Sequence, residues 1–158
     1  MTVSSSAPAD HAPGSVGNDA DVRYLVEARA GLRRVMPVTH AVSAGADCHA
    51  LRALARDALT VQTGQLETVS ACLAAWGRAD VPGAHEAANG PPGLHGSSLQ
   101  HAFTDHLASH AAASMTAARA EMVAGVHRLV RAIAEDALRA YSRLLAAIGD
   151  LPPPVTQD

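Results

Sequence analysis

Apolar residues recur at alternating steps of four and three along two stretches, about 21–76 and 97–149, which is the spacing of one buried face of an α-helix. Leu25, Ala28, Leu32 and Val35 form such a stripe near the start. Ala55, Leu59, Gln62, Leu66, Val69, Leu73 and Trp76 form a second, and Phe103, Leu107, His110, Ser114, Ala117 and Glu121 a third, much more polar one. Ala134, Leu138, Tyr141, Leu145 and Ile148 complete the set. Four stripes of this kind predict four helices packed at small angles, an all-α four-helix bundle.

Breaks in the pattern divide each stretch into a hairpin. Gly45-Ala46-Asp47 separates the first pair, with Gly45 expected in the left-handed C-terminal position and Asp47 as the next cap. Gly125 separates the second pair. Ser97 with Gln100 three residues on reads as a capping box, and Pro37 is expected to kink or divide the first helix. The Pro/Gly-rich run 77–96 reads as the loop that joins the hairpins, in a bundle that is up-down-up-down within each hairpin. Residues 1–20, rich in Ser, Ala, Pro and Gly, read as a disordered arm, and 150–158 as a Pro-rich tail that cannot continue a helix.

The two hairpins are related. Residues 51–59 read LRALARDAL and residues 130–138 read VRAIAEDAL; six of nine positions are identical and two more exchange one aliphatic residue for another. The glycines at the breaks align with a one-residue gap, and Gln62 and Tyr141 become equivalent. A repeated hairpin implies two halves packed face to face.

Composition supports helix over sheet: 35 of the 158 residues are alanine and only four are aromatic. The net charge of −3 shows no basic excess, so a nucleic-acid partner is not expected. No apolar run is long enough to span a membrane, and residues 1–20 lack the basic start and apolar run of a signal peptide, so the expected location is the cytoplasm. Cys48 and Cys72, with no CxxC spacing, read as two buried thiols. The Ala-rich faces and a leftover apolar stripe point to a homodimer.

The chemistry-bearing residues concentrate on the third helix. His106 and His110, four apart, share a face and suit a transition metal such as copper; Met115 and Glu121 further along supply soft and hard ligands. The same residues have a plainer reading. His-x3-His arises readily among nine histidines, Met115 suits core filling, and His110 suits a core imidazole satisfied by Gln62 or Tyr141. Gln62, Ser114 and Tyr141 would then be the polar interior of the bundle. Glu67 and Glu121 lack a histidine three residues on, which disfavours a di-iron centre, and no phosphate-binding or nucleophile motif is present.

The chain resembles domain-of-unknown-function family 305, a ferritin-like group of helical-bundle proteins, some associated with copper or other metals. Phe103 is followed seven residues on by His110, with Ala111 in the slot of a second histidine and Ala113 beyond it. Leu51 to Gln65 matches the family's small-apolar run, with Gln62 in its glutamine position. In the first half Tyr24 matches the aromatic, while Ala30 and Gly31 stand in the histidine slots; Gln65 replaces the family's glutamate, and the fourth helix has Tyr141 and Leu144. The resemblance implies a ferritin-like bundle that has lost most of the family's histidine ligands. Three functions stay open: metal binding through His106 and His110, a non-catalytic scaffold, and a small-molecule binder or enzyme using the polar interior.

Overall fold

The computed structural model describes residues 16–79 and 96–153. It contains four helices, α1 (Asp19–Gly45), α2 (His49–Ala75), α3 (Gly96–Ala124) and α4 (Arg128–Gly149), with no strand among the described residues. The fold is an all-α four-helix bundle. Around its axis α1 packs between α2 and α3, and α4 closes the square between α3 and α2.

Helix α1 starts where a capping box forces it to. The Asn18 side chain accepts from the backbone N–H groups of Ala20 and Asp21, both at 3.0 Å, and the Asp21 carboxylate accepts from the Asn18 N–H at 2.7 Å. The helix therefore begins at Asp19, inside the expected arm; residues 1–15 of that arm lie outside the described residues. The same carboxylate reaches a second helix. It accepts from the N–H groups of Val126 (3.3 Å) and His127 (3.0 Å), the turn that leads into α4, so one anion serves two helix N-termini. Asn18 also donates to the Ala124 carbonyl at the end of α3, 2.8 Å away.

These bonds fix the helix directions. The start of α1, the end of α3 and the start of α4 share one end of the bundle, and the Trp76 ring at the end of α2 packs edge-on against His127 there. At the other end Gln100 near the start of α3 donates to the Pro152 carbonyl beyond α4. Each hairpin is antiparallel, but α3 runs in the direction of α2, not the alternating one. The segment joining them has to connect opposite ends. A 29-residue α3 spans about 43 Å at 1.5 Å per residue, within reach of a chain of about 20 residues.

The repeat is reproduced in the packing. Leu51, Leu54, Ala55 and Ala58 are buried, as are their equivalents Val130, Ile133, Ala134 and Ala137. Cys48 and His127, also equivalent, are the N-caps of α2 and α4, and neither makes a side-chain cap. The stripes are broader than expected, because each helix has two neighbours. Ile133, Ala137 and Leu144 are fully covered, while Leu59, Leu66, Leu138 and Leu145 are half-buried.

Local signals fared less well. Gly45 ends α1 without a left-handed conformation, Ala46 is extended, and Asp47 is an exposed bend, not a cap. Ser97 and Gln100 form no capping box, because α3 already starts at Gly96 and Ser97 lies inside it; the Gln100 amide N–H donates to Pro152. Helix α1 runs unbroken through the exposed Pro37, held by the buried residues Val35, Val38, Thr39 and Val42 on either side. Cys48 is exposed, Cys72 is buried, and both are free.

Candidate functional site

Small residues on facing helices leave a gap. Helix α1 presents Ala28, Ala30 and Gly31, and α3 presents Ala113, Ser114 and Ala117, so the two backbones bound a cavity of about 300 Å³. Its inner wall comes from Val69 of α2 and from Ile133, Ala137 and Tyr141 of α4. Polar groups converge on this mostly apolar space: Tyr24, Glu27 and Arg34 from α1, Gln65 from α2, His110 and Ser114 from α3, and Tyr141 from α4. An apolar cleft of this size with a few placed polar groups has the make-up of a small-molecule site.

A hydrogen-bond chain crosses the cavity wall. The Tyr141 hydroxyl donates to Gln65 Oε1 at 2.7 Å and stands 2.9 Å from His110 Nε2. A phenol has one proton. Since that proton goes to Gln65, the oxygen accepts from Nε2–H of His110. The two rings meet edge to face, with centroids 5.3 Å apart. Burial holds the His110 ring down at about 4, helped by the charges of His106 and Arg34, so the imidazole is neutral at pH 7. Its single N–H is at Nε2, and Nδ1 keeps a lone pair. Burial pushes Tyr141 up to about 12, with the Ser114 hydroxyl acting in the opposite direction.

A second polar cluster lies at the end of the bundle where α1 and α4 start. Glu121, only 2% exposed, faces Asp21, which is fully buried. Burial, reinforced by the Asp21 charge and partly opposed by Arg131, raises Glu121 to about 8. Burial alone would raise Asp21 too. The Glu121 proton and the backbone N–H groups of His127, Asn18 and Val126 outweigh it and hold Asp21 below the usual carboxylate range. Of the two, Glu121 is the more readily protonated, and neither of its buried carboxyl oxygens has a hydrogen-bond partner among the described residues. A Cβ on Gly125 would collide with the Glu121 carboxyl, and one on Gly17 with the Asp21 carboxylate, so both positions need a residue without a side chain.

The residues expected to hold a metal are spread out. His106 is exposed, His110 turns inward to Tyr141, Met115 packs half-buried against the core, and Glu121 belongs to the carboxyl pair. His110 and Glu121 are eleven residues apart on one helix, about 16 Å of rise. Among the described residues no three His, Cys, Asp or Glu side chains converge in a way that could hold an ion. The polar interior divides likewise. Tyr141 and Ser114 line the cavity, whereas the fully buried Gln62 lies outside it, its amide oxygen and nitrogen both without a hydrogen-bond partner. Gly31 and Arg34 also line the cavity. Their signal was the small-residue stripe Ala28, Gly31 on α1, which gains meaning only opposite Ala113 and Ala117. Among the described residues no helix is long and apolar enough to cross a membrane.

Comparison with protein-family models, with curated proteins and with solved structures finds no match for this chain. The fold and the cavity define its class: a four-helix bundle with a mostly apolar pocket between α1 and α3.

Proposed function

We propose that this protein binds a small organic molecule in the α1–α3 cavity. The observation that carries the reading is the coincidence of an open, mostly apolar space of about 300 Å³ with the ordered chain His110–Tyr141–Gln65 on its wall. A bundle selected only as a scaffold gains nothing from such a gap. Filling it with larger aliphatic side chains at Ala28, Ala113 or Ala117 would add apolar burial at about 25 cal/mol per Å². Small residues there keep the space open at the expense of packing.

The cavity is reached from the groove between α1 and α3, where Ala113 is exposed. Ala113→Trp places an indole into that mouth without disturbing the core. Ligand-detected NMR with a set of small apolar and amphipathic compounds tests the reading. Binders are expected with the natural chain and are lost in Ala113→Trp. A set in which no compound binds, or in which the tryptophan changes nothing, would sink it.

A further inference from the structure

The chemical class of that ligand is written at one position of the cavity wall. Gly31 lacks a side chain, and the space its Cβ would occupy is bordered by the His110 ring and the Arg34 guanidinium. His110 Cε1 and Nδ1 lie 3.4 and 3.7 Å from that point, and Arg34 Nη2 lies 4.0 Å away. The Arg34 side chain is exposed, yet its guanidinium folds back over Gly31 to the cavity edge. It is in none of the ion pairs among the described residues. A notch bounded by a guanidinium and an imidazole nitrogen with a lone pair is complementary to a carboxyl group. One oxygen takes an N–H of arginine, and the other shares a proton with the imidazole.

The groups facing His110 agree. Helix α1 brings the positive Arg34, α2 the neutral amide of Gln65, α3 the neighbouring His106 and the Ser114 hydroxyl, and α4 the neutral Tyr141. The one carboxylate on the cavity wall is Glu27. It lies seven residues from Arg34 along α1, about 10 Å by rise, and opens to solvent. Anionic charge is thus favoured at the Arg34 end and disfavoured at the Glu27 end, which fixes the orientation of a ligand with a single acid group.

We infer that the Gly31 notch is a carboxylate subsite: the cavity takes a small apolar molecule ending in a carboxyl group, held between Arg34 Nη2 and His110 Nδ1, with its body along Ala28, Ala113 and Ala117. This inference rests on the reading of the cavity as a binding site. The anion also changes the imidazole. In the free protein His110 is neutral; a carboxylate against Nδ1 stabilises the imidazolium, so binding draws one proton from solvent onto that nitrogen and strengthens as pH falls toward mild acidity.

Calorimetric titration of the full chain with three matched probes, 4-phenylbutyrate, 4-phenylbutyramide and 4-phenylbutanol, tests it. The acid is expected to bind at least tenfold more tightly than the amide or the alcohol. Its affinity should rise from pH 7.5 to 5.5 while those of the neutral probes stay flat. Arg34→Gln, a change at an exposed position, should bring the three to within about threefold of one another. Equal affinities in the natural chain, or an acid preference that survives Arg34→Gln, overturn the carboxylate subsite and leave the cavity reading standing. Binding of none of the three, or binding that Ala113→Trp does not weaken, overturns both.

Discussion

His110 and Tyr141 meet at 2.9 Å, and a third residue decides which of them donates: because Gln65 takes the phenolic proton, the imidazole must give up its Nε2–H. The chain has a direction. It leaves the second ring nitrogen as an acceptor at the cavity, beside Gly31 and Arg34, with no freedom to exchange tautomers unless all three residues rearrange. Three helices are tied together by this one set of side chains.

Removing the middle member tests its weight. Tyr141→Phe keeps the ring but leaves Nε2 of His110 and Oε1 of Gln65 without a common partner. Water from the cavity can replace part of the loss, so a destabilisation of about 1–2 kcal/mol is expected in urea unfolding. A variant as stable as the natural protein would show that the chain contributes nothing to the fold.

The His110 ring itself should titrate near pH 4. Its folded-state value lies below the ordinary 6.5, so between these limits the unfolded chain binds a proton that the native one does not. The contribution is fully present above pH 6.5 and is lost as pH falls toward 4, roughly 2 kcal/mol after allowing for the ring's partial exposure. Proton NMR of the imidazole with urea midpoints across that range checks both statements. A ring that titrates near 6.5 would contradict the buried environment.

The sequence told more about the frame than about the site, and particular residues show why. The repeat between 51–59 and 130–138 reports a periodicity that packing must respect: Leu51/Val130, Leu54/Ile133, Ala55/Ala134 and Ala58/Ala137 are buried on both sides, and the pair Leu59/Leu138 is half-buried on both. Gln62 and Tyr141 are equivalent in that repeat, yet one is an orphaned core amide and the other a wall of the cavity. A seam drawn for one partner helix could not anticipate this, because the rotation of α4 is set by its contacts with two neighbours. Helical spacing places His106 and His110 on one face but does not say that His106 is exposed while the His110 ring meets Tyr141. The capping-box spacing occurs at Asn18–Asp21 and at Ser97–Gln100 alike, but Asn18 stands just before α1 whereas Ser97 lies inside α3, which starts at Gly96. The direction of α3 depends on contacts between residues more than 100 positions apart, such as Asn18 with Ala124, and no local pattern encodes it.

Asp21 should be the most sensitive polar position in the bundle. Asp21→Ala removes the acceptor of three backbone N–H groups, those of Asn18, Val126 and His127, and with it the reciprocal half of one cap and the anion at a second helix start. At about 1 kcal/mol for each lost bond the expected cost is roughly 3 kcal/mol, seen as a lower urea midpoint with an unchanged slope. A loss under about 1 kcal/mol would mean that water caps both helices equally well.

Glu121 carries the opposite pH dependence to His110, and the two can be separated. Its folded-state value of about 8 lies above the ordinary 4.5, so the native state keeps a proton that the unfolded chain has released. The stability this provides is complete below about pH 4.5 and is lost as pH rises through about 8, a change on the order of 3 kcal/mol. His110 is neutral in both states above pH 6.5, so the fall between pH 6.5 and 8.5 belongs to Glu121. Glu121→Gln has the same shape and cannot ionise. The variant should exceed the natural protein by about 2 kcal/mol at pH 8.5 and show a flat profile from pH 6.5 to 8.5. If the natural protein and the variant decline in parallel above pH 6.5, the proton does not reside on Glu121. The rise of α4 out of the α3 turn then depends on Asp21 alone, with the neighbouring carboxyl ionised and the space beside Gly125 filled by a charge.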